Sequence, residues 1–154
     1  MRFVTARLLF LMPLILCLVF AAPTPVAAED TCANPVMVMV DVKPGSEANK
    51  VNLAAHGVLP VAVLGTPEFD ASLFAPEMAH LSDAATAEGC AGARAVRWSR
   101  QDVNSDGRQD ILFFFRTQEL NFSSNTTAAM LMAHGMYQGV MIHIHGMDKV
   151  KIKP

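Results

Sequence analysis

Short apolar runs separated by turn residues fill the chain beyond residue 35, and no stretch has the period of an amphipathic helix. Runs of this length and spacing are typical of strands in all-β domains. The predicted strands are Val36–Val42, Lys50–Leu53, Leu59–Leu64, Pro76–Leu81, Ala93–Trp98, Ile111–Arg116, Ala128–Ala133, Val140–His145 and Lys149–Lys153. The pattern predicts an antiparallel β-sandwich, immunoglobulin-like or related, of about 7–9 short strands.

A loop rich in oxygen-bearing side chains separates two of these strands, after Trp98 and before Ile111. The predicted cation ligands are Asp102, Asn104, Asp106, the backbone carbonyl of Arg108, and Asp110. Alternate spacing on a tightly curling backbone aims such oxygens at one point, which suits calcium, and Gly107 permits the sharp bend. The alternative is a polar hairpin loop without a cation, since Asp, Asn, Ser and Gly are also common turn residues.

The N-terminus has the pattern of a secretory signal peptide. Arg2 and Arg7 precede the apolar run 8–20, and small residues then suit cleavage after Ala28. An uncleaved membrane anchor is the alternative, although the run is short for a span. We therefore expect a signal peptide over 1–28, an irregular lead-in over 29–35, and one domain over 36–154. The expected location is secreted, periplasmic or at the cell surface.

The charge and the cysteine content of residues 29–154 indicate which partners and which covalent bonds to expect. Without residues 1–28 the chain keeps 10 basic and 14 acidic side chains, which argues against nucleic acid as a partner. Two cysteines remain, Cys32 and Cys90, and an even pair in an oxidising compartment predicts a disulfide bond. Two unpaired thiols are the alternative, because spacing alone does not establish proximity.

The chain resembles a family of secreted bacterial β-domains over roughly residues 38–152. The matching motifs keep the order and spacing of that family: Val40–Ser46 (VDVKPGS), Gly57–Thr66 (GVLPVAVLGT) and Asp102–Asp110 (DVNSDGRQD). The resemblance implies a compact exported β-module with a calcium-type loop at Asp102–Asp110, and it implies no catalytic activity. The sequence departs from the family pattern near its end, where histidines and methionines replace the expected small polar residues.

Eight histidine and methionine residues crowd into the last quarter of the chain: Met130, Met132, His134, Met136, Met141, His143, His145 and Met147. The candidate ligands of a second metal site are Met130, Met132, His134, Met141, His143 and His145. Alternate positions of a strand share a face, so His143 and His145 would lie together, as would Met132 and His134. Thioether and imidazole groups suit copper(I) or another late transition metal. The alternative is structural, since methionine often fills cores and histidine often lies on solvated faces.

The sequence contains no nucleophile elbow, phosphate loop or zinc-protease spacing. We therefore expect a secreted, non-enzymatic β-domain that is stabilised by calcium and serves as a structural, surface or interaction module. The alternative function is a periplasmic protein that binds copper or another transition metal. The expected partner is a protein or polymer of unknown identity, and no stable membrane insertion is expected once the signal peptide is removed.

Overall fold

A computed structural model describes residues 34–153 of the protein. The predicted signal peptide, most of the lead-in including Cys32, and Pro154 lie outside the described residues. The strands are β1 (Val36–Met37), β2 (Val40–Val42), β3 (Lys50–Asn52), β4 (Val58–Val63), β5 (Phe74–Asp83), β6 (Ala93–Gln101), β7 (Asp110–Arg116), β8 (Ala128–Tyr137), β9 (Val140–Lys149) and β10 (Lys151–Lys153). Two short 3₁₀ helices, Ala71–Leu73 and Thr117–Glu119, lie between strands.

Eight of the strands form one sheet in the order β1-β9-β8-β5-β6-β7-β4-β2, while β10 and β3 form a separate pair. Most neighbours are antiparallel, but β1 runs parallel to β9 and β10 runs parallel to β3. The predicted all-β class is therefore confirmed. The hydrogen bonds join the eight strands in a single mixed sheet, so they do not establish the two separate antiparallel sheets of a sandwich.

The sheet curls until its two edges meet along one segment of chain. Strands β1 and β2 are consecutive in sequence, yet they occupy opposite edges of the sheet. Between them, the Val38 N–H donates to the His145 carbonyl at 2.8 Å, and the Met39 carbonyl accepts from the Leu64 N–H at 2.9 Å. The prediction of one continuous strand over Val36–Val42 is therefore wrong. The segment changes its partner strand midway. This change depends on distant residues, so the apolar alternation within Val36–Val42 could not predict it.

The hydrophobic core lies inside the curl. Its largest members come from β5, β7, β8 and β9, and they include Phe74, Phe113, Phe115, Leu131 and Ile144. Successive residues of a strand point to opposite faces. In β8 the core therefore takes Ala129, Leu131 and Ala133, and the residues between them point to the outer face. No helix within residues 34–153 is long and apolar enough to cross a membrane.

Candidate metal sites

A tight hairpin sets the pairing of β8 with β9. The strands are joined by Gln138 and Gly139 alone, and both have positive φ, 50° and 83°. Two-residue turns of this kind match the twist of paired strands and fix their register. As a result His134 lies directly opposite His143, and Met132 lies directly opposite His145.

The same register places every predicted histidine and methionine of this region on the outer face. Met130 pairs with Met147 and Met136 pairs with Met141, one step to either side of the histidine pairs. Directly opposite residues have Cβ atoms about 4.5–5.5 Å apart. The candidate ligands that the sequence placed on two separate strands therefore form one continuous surface.

Strand β5 extends this surface on the far side of β8. Met78 pairs with His134 and His80 pairs with Met132. A register shift between Pro76 and Met78 leaves Glu77 as an extra residue in β5. Such a bulge reverses the alternation, so Pro76 before it is buried like the core, while Met78 and His80 after it join the outer face.

Edge strand β1 adds one more thioether, because Met37 pairs with His145. We call the whole surface the methionine–histidine face. Its members are Met37, Met78, His80, Met130, Met132, His134, Met136, Met141, His143, His145 and Met147. It therefore gathers four of the five histidines and seven of the ten methionines of the chain. The remaining histidine, His56, is exposed beside Gln118 and lies off the face.

Burial varies strongly across the face. Met132, at its centre, has only 1% of its surface exposed, although it is not part of the core cluster. The peripheral thioethers are open to solvent, with Met147 exposed by 53% and Met37 by 65%. A methionine at the centre of the outer face is therefore buried, while several methionines at its margin are exposed.

Two imidazole nitrogens on the face are buried without a hydrogen-bond partner, namely His143 Nδ1 and His145 Nε2. The ring of His143 lies against that of His134, with 5.6 Å between the centroids. Burial lowers the pKa of His145, and the neighbouring His143 lowers it further. His145 is thus biased toward the neutral form, which is the form that binds metals.

No three side chains of the types His, Cys, Asp and Glu converge closely enough to hold a metal ion anywhere in residues 34–153. A metal site on the methionine–histidine face would therefore need methionine sulfur as well as imidazole nitrogen. This requirement favours soft metal ions such as copper(I), because thioethers are soft ligands.

The predicted calcium loop joins β6 to β7, as the sequence indicated. Its backbone is turned by its own side chains. The Asp102 carboxylate accepts from the N–H groups of Asp106 (3.2 Å) and Gly107 (2.8 Å), and Asp106 accepts from the Arg108 N–H at 2.8 Å. Ser105 and Gly107 have positive φ, 61° and 86°, which produces the bend. The loop is therefore tightly curled, with Asp102 and Asp106 exposed to solvent.

The five predicted ligands of this loop lie in different environments. Asn104 is exposed, and its amide donates to the Asp106 carboxylate at 3.0 Å. The backbone N–H of Arg108 and the side chain of Asn104, in that order, lower the pKa of Asp106 by hydrogen bonding. Asp110, by contrast, is completely buried. Its two oxygens accept from the backbone N–H groups of Gly65 and Val103, each at 2.8 Å.

Asp110 therefore has a structural role of its own. It ties the loop to the end of strand β4 through Gly65, which packs so closely that an added Cβ would lie 2.5 Å from the Gln109 carbonyl oxygen. The carboxylates of Asp102, Asp106 and Asp110 do not converge on one point in this arrangement. The loop is held together by hydrogen bonds, and its calcium ligands stay a prediction.

Cys90 lies in the loop between β5 and β6. Its predicted partner, Cys32, lies outside the described residues, so the pairing of these two cysteines stays a prediction.

Comparison with known proteins finds no matching family model and no curated protein of significant similarity. The resemblance to exported bacterial β-domains therefore depends on the motifs in the sequence.

Sequence reasoning missed three members of the methionine–histidine face, Met37, Met78 and His80. A signal for two of them was present, since Met78 and His80 alternate within the predicted strand Pro76–Leu81. Their position beside β8 could not be read from the sequence, because it depends on strand pairing across more than 50 residues and on the bulge at Glu77.

Proposed function

We propose that the protein is an exported β-domain that binds a soft, late transition metal, with copper(I) the best fit, through its methionine–histidine face. The observation that carries this proposal is the β8–β9 register, which sets His134 opposite His143 and Met132 opposite His145. Imidazole nitrogen and thioether sulfur are the ligand types that copper(I) favours. The two buried, unpartnered nitrogens of His143 and His145 add support, because such atoms are uncommon unless something else satisfies them.

A copper(I) titration tests this function. The full chain, expressed with its own N-terminus and purified from the exported fraction, is titrated under ascorbate against a chromogenic copper(I) chelator. Ascorbate is preferred to a thiol, because thiols bind copper(I) and compete. We expect submicromolar binding that is lost in the double variant His143→Ala, His145→Ala and kept in His56→Ala, which removes an imidazole off the face. Absence of binding in the wild-type chain, or equal binding in the double variant, would contradict the proposal.

Structural calcium binding at the Asp102–Asp110 loop is the second candidate function. The observation in its favour is the curled loop itself, with Gly107 at positive φ and two exposed carboxylates, Asp102 and Asp106, on a short stretch of backbone. The Arg108 carbonyl and the Asn104 amide oxygen lie in the same loop as further oxygen donors. A cation bound there would stabilise the folded state by mass action.

Calorimetric melts with calcium and with a chelator test this second function. We expect calcium to raise the melting temperature by several degrees, since a ligand at 100 times its Kd adds about 2.7 kcal/mol. Asp106→Asn keeps an oxygen that can accept from Arg108 but removes the charge, so it should abolish the rise. Glu77→Gln removes an exposed carboxylate from β5 and should leave the rise intact. A melting temperature that is indifferent to calcium would remove this role.

The proposal also covers the location, family, disulfide bond and partner of the protein. We propose export through the predicted signal peptide, membership of the exported β-domain family, a disulfide between Cys32 and Cys90, and a role without catalysis. The net negative charge of the exported part supports a protein or polymer partner over nucleic acid.

A further inference from the structure

The imidazole of His80 is oriented by the loop that precedes β6. Its Nδ1 lies 3.2 Å from the carbonyl oxygen of Gly92. A carbonyl only accepts hydrogen bonds, so Nδ1 must carry the proton of this contact. In the neutral ring the lone pair then resides on Nε2. Histidines that bind metals commonly have this arrangement, with the distal N–H donated to a backbone carbonyl.

Gly92 is suited to bring its carbonyl to this position. Its φ is +143°, and an added Cβ would lie 2.5 Å from the carbonyl oxygen of Leu81, the residue after His80. Only glycine allows so close an approach of the two backbones. The contact that fixes the tautomer of His80 is therefore built into the fold.

Met132 lies directly between two histidines. It pairs with His80 on β5 and with His145 on β9, so the three side chains form one row across the sheet. Each neighbouring Cβ is about 5 Å away, which is within reach of side chains meeting at a shared ion. Met132 is only 1% exposed although it lies outside the core cluster, so its thioether is buried on the outer face.

His145 completes the row, and its Nε2 accepts and donates no hydrogen bond. Its Nε2 is buried and lacks a hydrogen-bond partner, whereas most buried polar atoms in proteins have one. Together with Met132 and His80, the row thus presents an imidazole with a free lone pair, an enclosed thioether, and an unpartnered buried imidazole nitrogen.

We propose that Nε2 of His80, Sδ of Met132 and Nε2 of His145 form a three-coordinate copper(I) site, an inference that rests on the proposed metal-binding function. Zinc sites usually take at least three protein ligands from His, Cys, Asp and Glu, and this row offers two. Copper(II) favours a tetragonal set of nitrogen and oxygen ligands, and the row supplies only two nitrogens. A thioether between two imidazoles therefore selects copper(I).

Three single variants test the assignment in the full exported chain. Met132→Leu keeps the volume and apolar character of the side chain, so the fold tolerates it, and His80→Gln alters a side chain near the surface. His56→Gln removes an exposed imidazole that lies off the face and serves as the matched control. Copper(I) affinity is measured by competition with the chromogenic chelator, and far-ultraviolet circular dichroism verifies that each variant is folded.

We expect Met132→Leu and His80→Gln each to lower copper(I) affinity by at least about tenfold, the scale of losses at metal sites, and His56→Gln to change it by less than about threefold. An excess of Zn(II) should not displace the bound copper(I). If the wild-type chain binds copper(I) and loses it in His143→Ala, His145→Ala but not in Met132→Leu or His80→Gln, the face binds metal elsewhere and this assignment is overturned. If the wild-type chain binds no copper(I), the proposed function fails with it.

Discussion

Replacing Asp110 with alanine should be among the most destabilising single changes in this protein. Asp110 is fully buried, and each of its oxygens accepts one backbone N–H, from Gly65 and from Val103. A hydrogen bond to a charged group contributes about 1.5–3 kcal/mol, and a buried donor left unpaired costs about 1–3 kcal/mol. With two donors affected, we expect Asp110→Ala to lower the free energy of unfolding by about 3–5 kcal/mol. That is a large part of a typical total of about 5–15 kcal/mol.

Urea denaturation in the presence of a chelator measures this loss without any contribution from calcium. With a slope of about 2 kcal/mol per molar urea, the midpoint should fall by about 2 M. Asp102→Ala is the matched control, because Asp102 also accepts two backbone N–H groups but lies in solvent. Water can replace its bonds, so we expect a loss within about 1 kcal/mol. Equal losses in the two variants, or a loss below about 1 kcal/mol for Asp110→Ala, would refute the structural role of the buried carboxylate.

Two further predictions concern the packing of β5 against β8 and a carboxylate on β2. Gly135→Ala should cost about 1–3 kcal/mol in urea denaturation, because the new Cβ would clash with the Ala75 carbonyl oxygen and force β5 away from β8; an unchanged midpoint would contradict the close packing. The pKa of Asp41 is raised by burial and then by the carboxylates of Asp148 and Asp110, so its ionised form opposes folding. Asp41→Asn should therefore stabilise the protein at pH 7, and the gain should vanish on acidification below the ordinary carboxyl pKa of about 3.9. A stabilisation by Asp41→Asn that increases at low pH would contradict a raised pKa of Asp41 in the folded protein.

Much of the fold could be predicted from local sequence alone. The apolar run at Ile111–Arg116 and the turn residues before it predicted a buried strand after a polar loop, and β7 follows that loop in the structure. In the predicted strand Lys149–Lys153 lysines alternate with Val150 and Ile152, a pattern that places the lysines in solvent, and Lys151 and Lys153 are exposed in the structure. These features depend on the period of two in a strand, which acts between near neighbours in the chain.

The features that could not be predicted depend on pairing between distant segments. Val38 hydrogen-bonds to β9 near one edge of the sheet, and Met39 hydrogen-bonds to Leu64, just after β4 near the other edge. The alternation of apolar residues in Val36–Val42 does not reveal this change of partner strand. The composition of the methionine–histidine face depends similarly on the bulge at Glu77, which places Met78 and His80 on the outer face beside β8. The sequence thus predicted a methionine–histidine cluster on β8 and β9, but it did not reveal that β1 and β5 complete it.

X-ray absorption at the copper edge, recorded on the copper(I)-loaded protein, tests the central claim most directly. The account predicts a first shell that contains thioether sulfur together with imidazole nitrogen, and loss of the sulfur contribution in Met132→Leu. A first shell of nitrogen and oxygen alone, or a sulfur contribution unchanged in that variant, would contradict it.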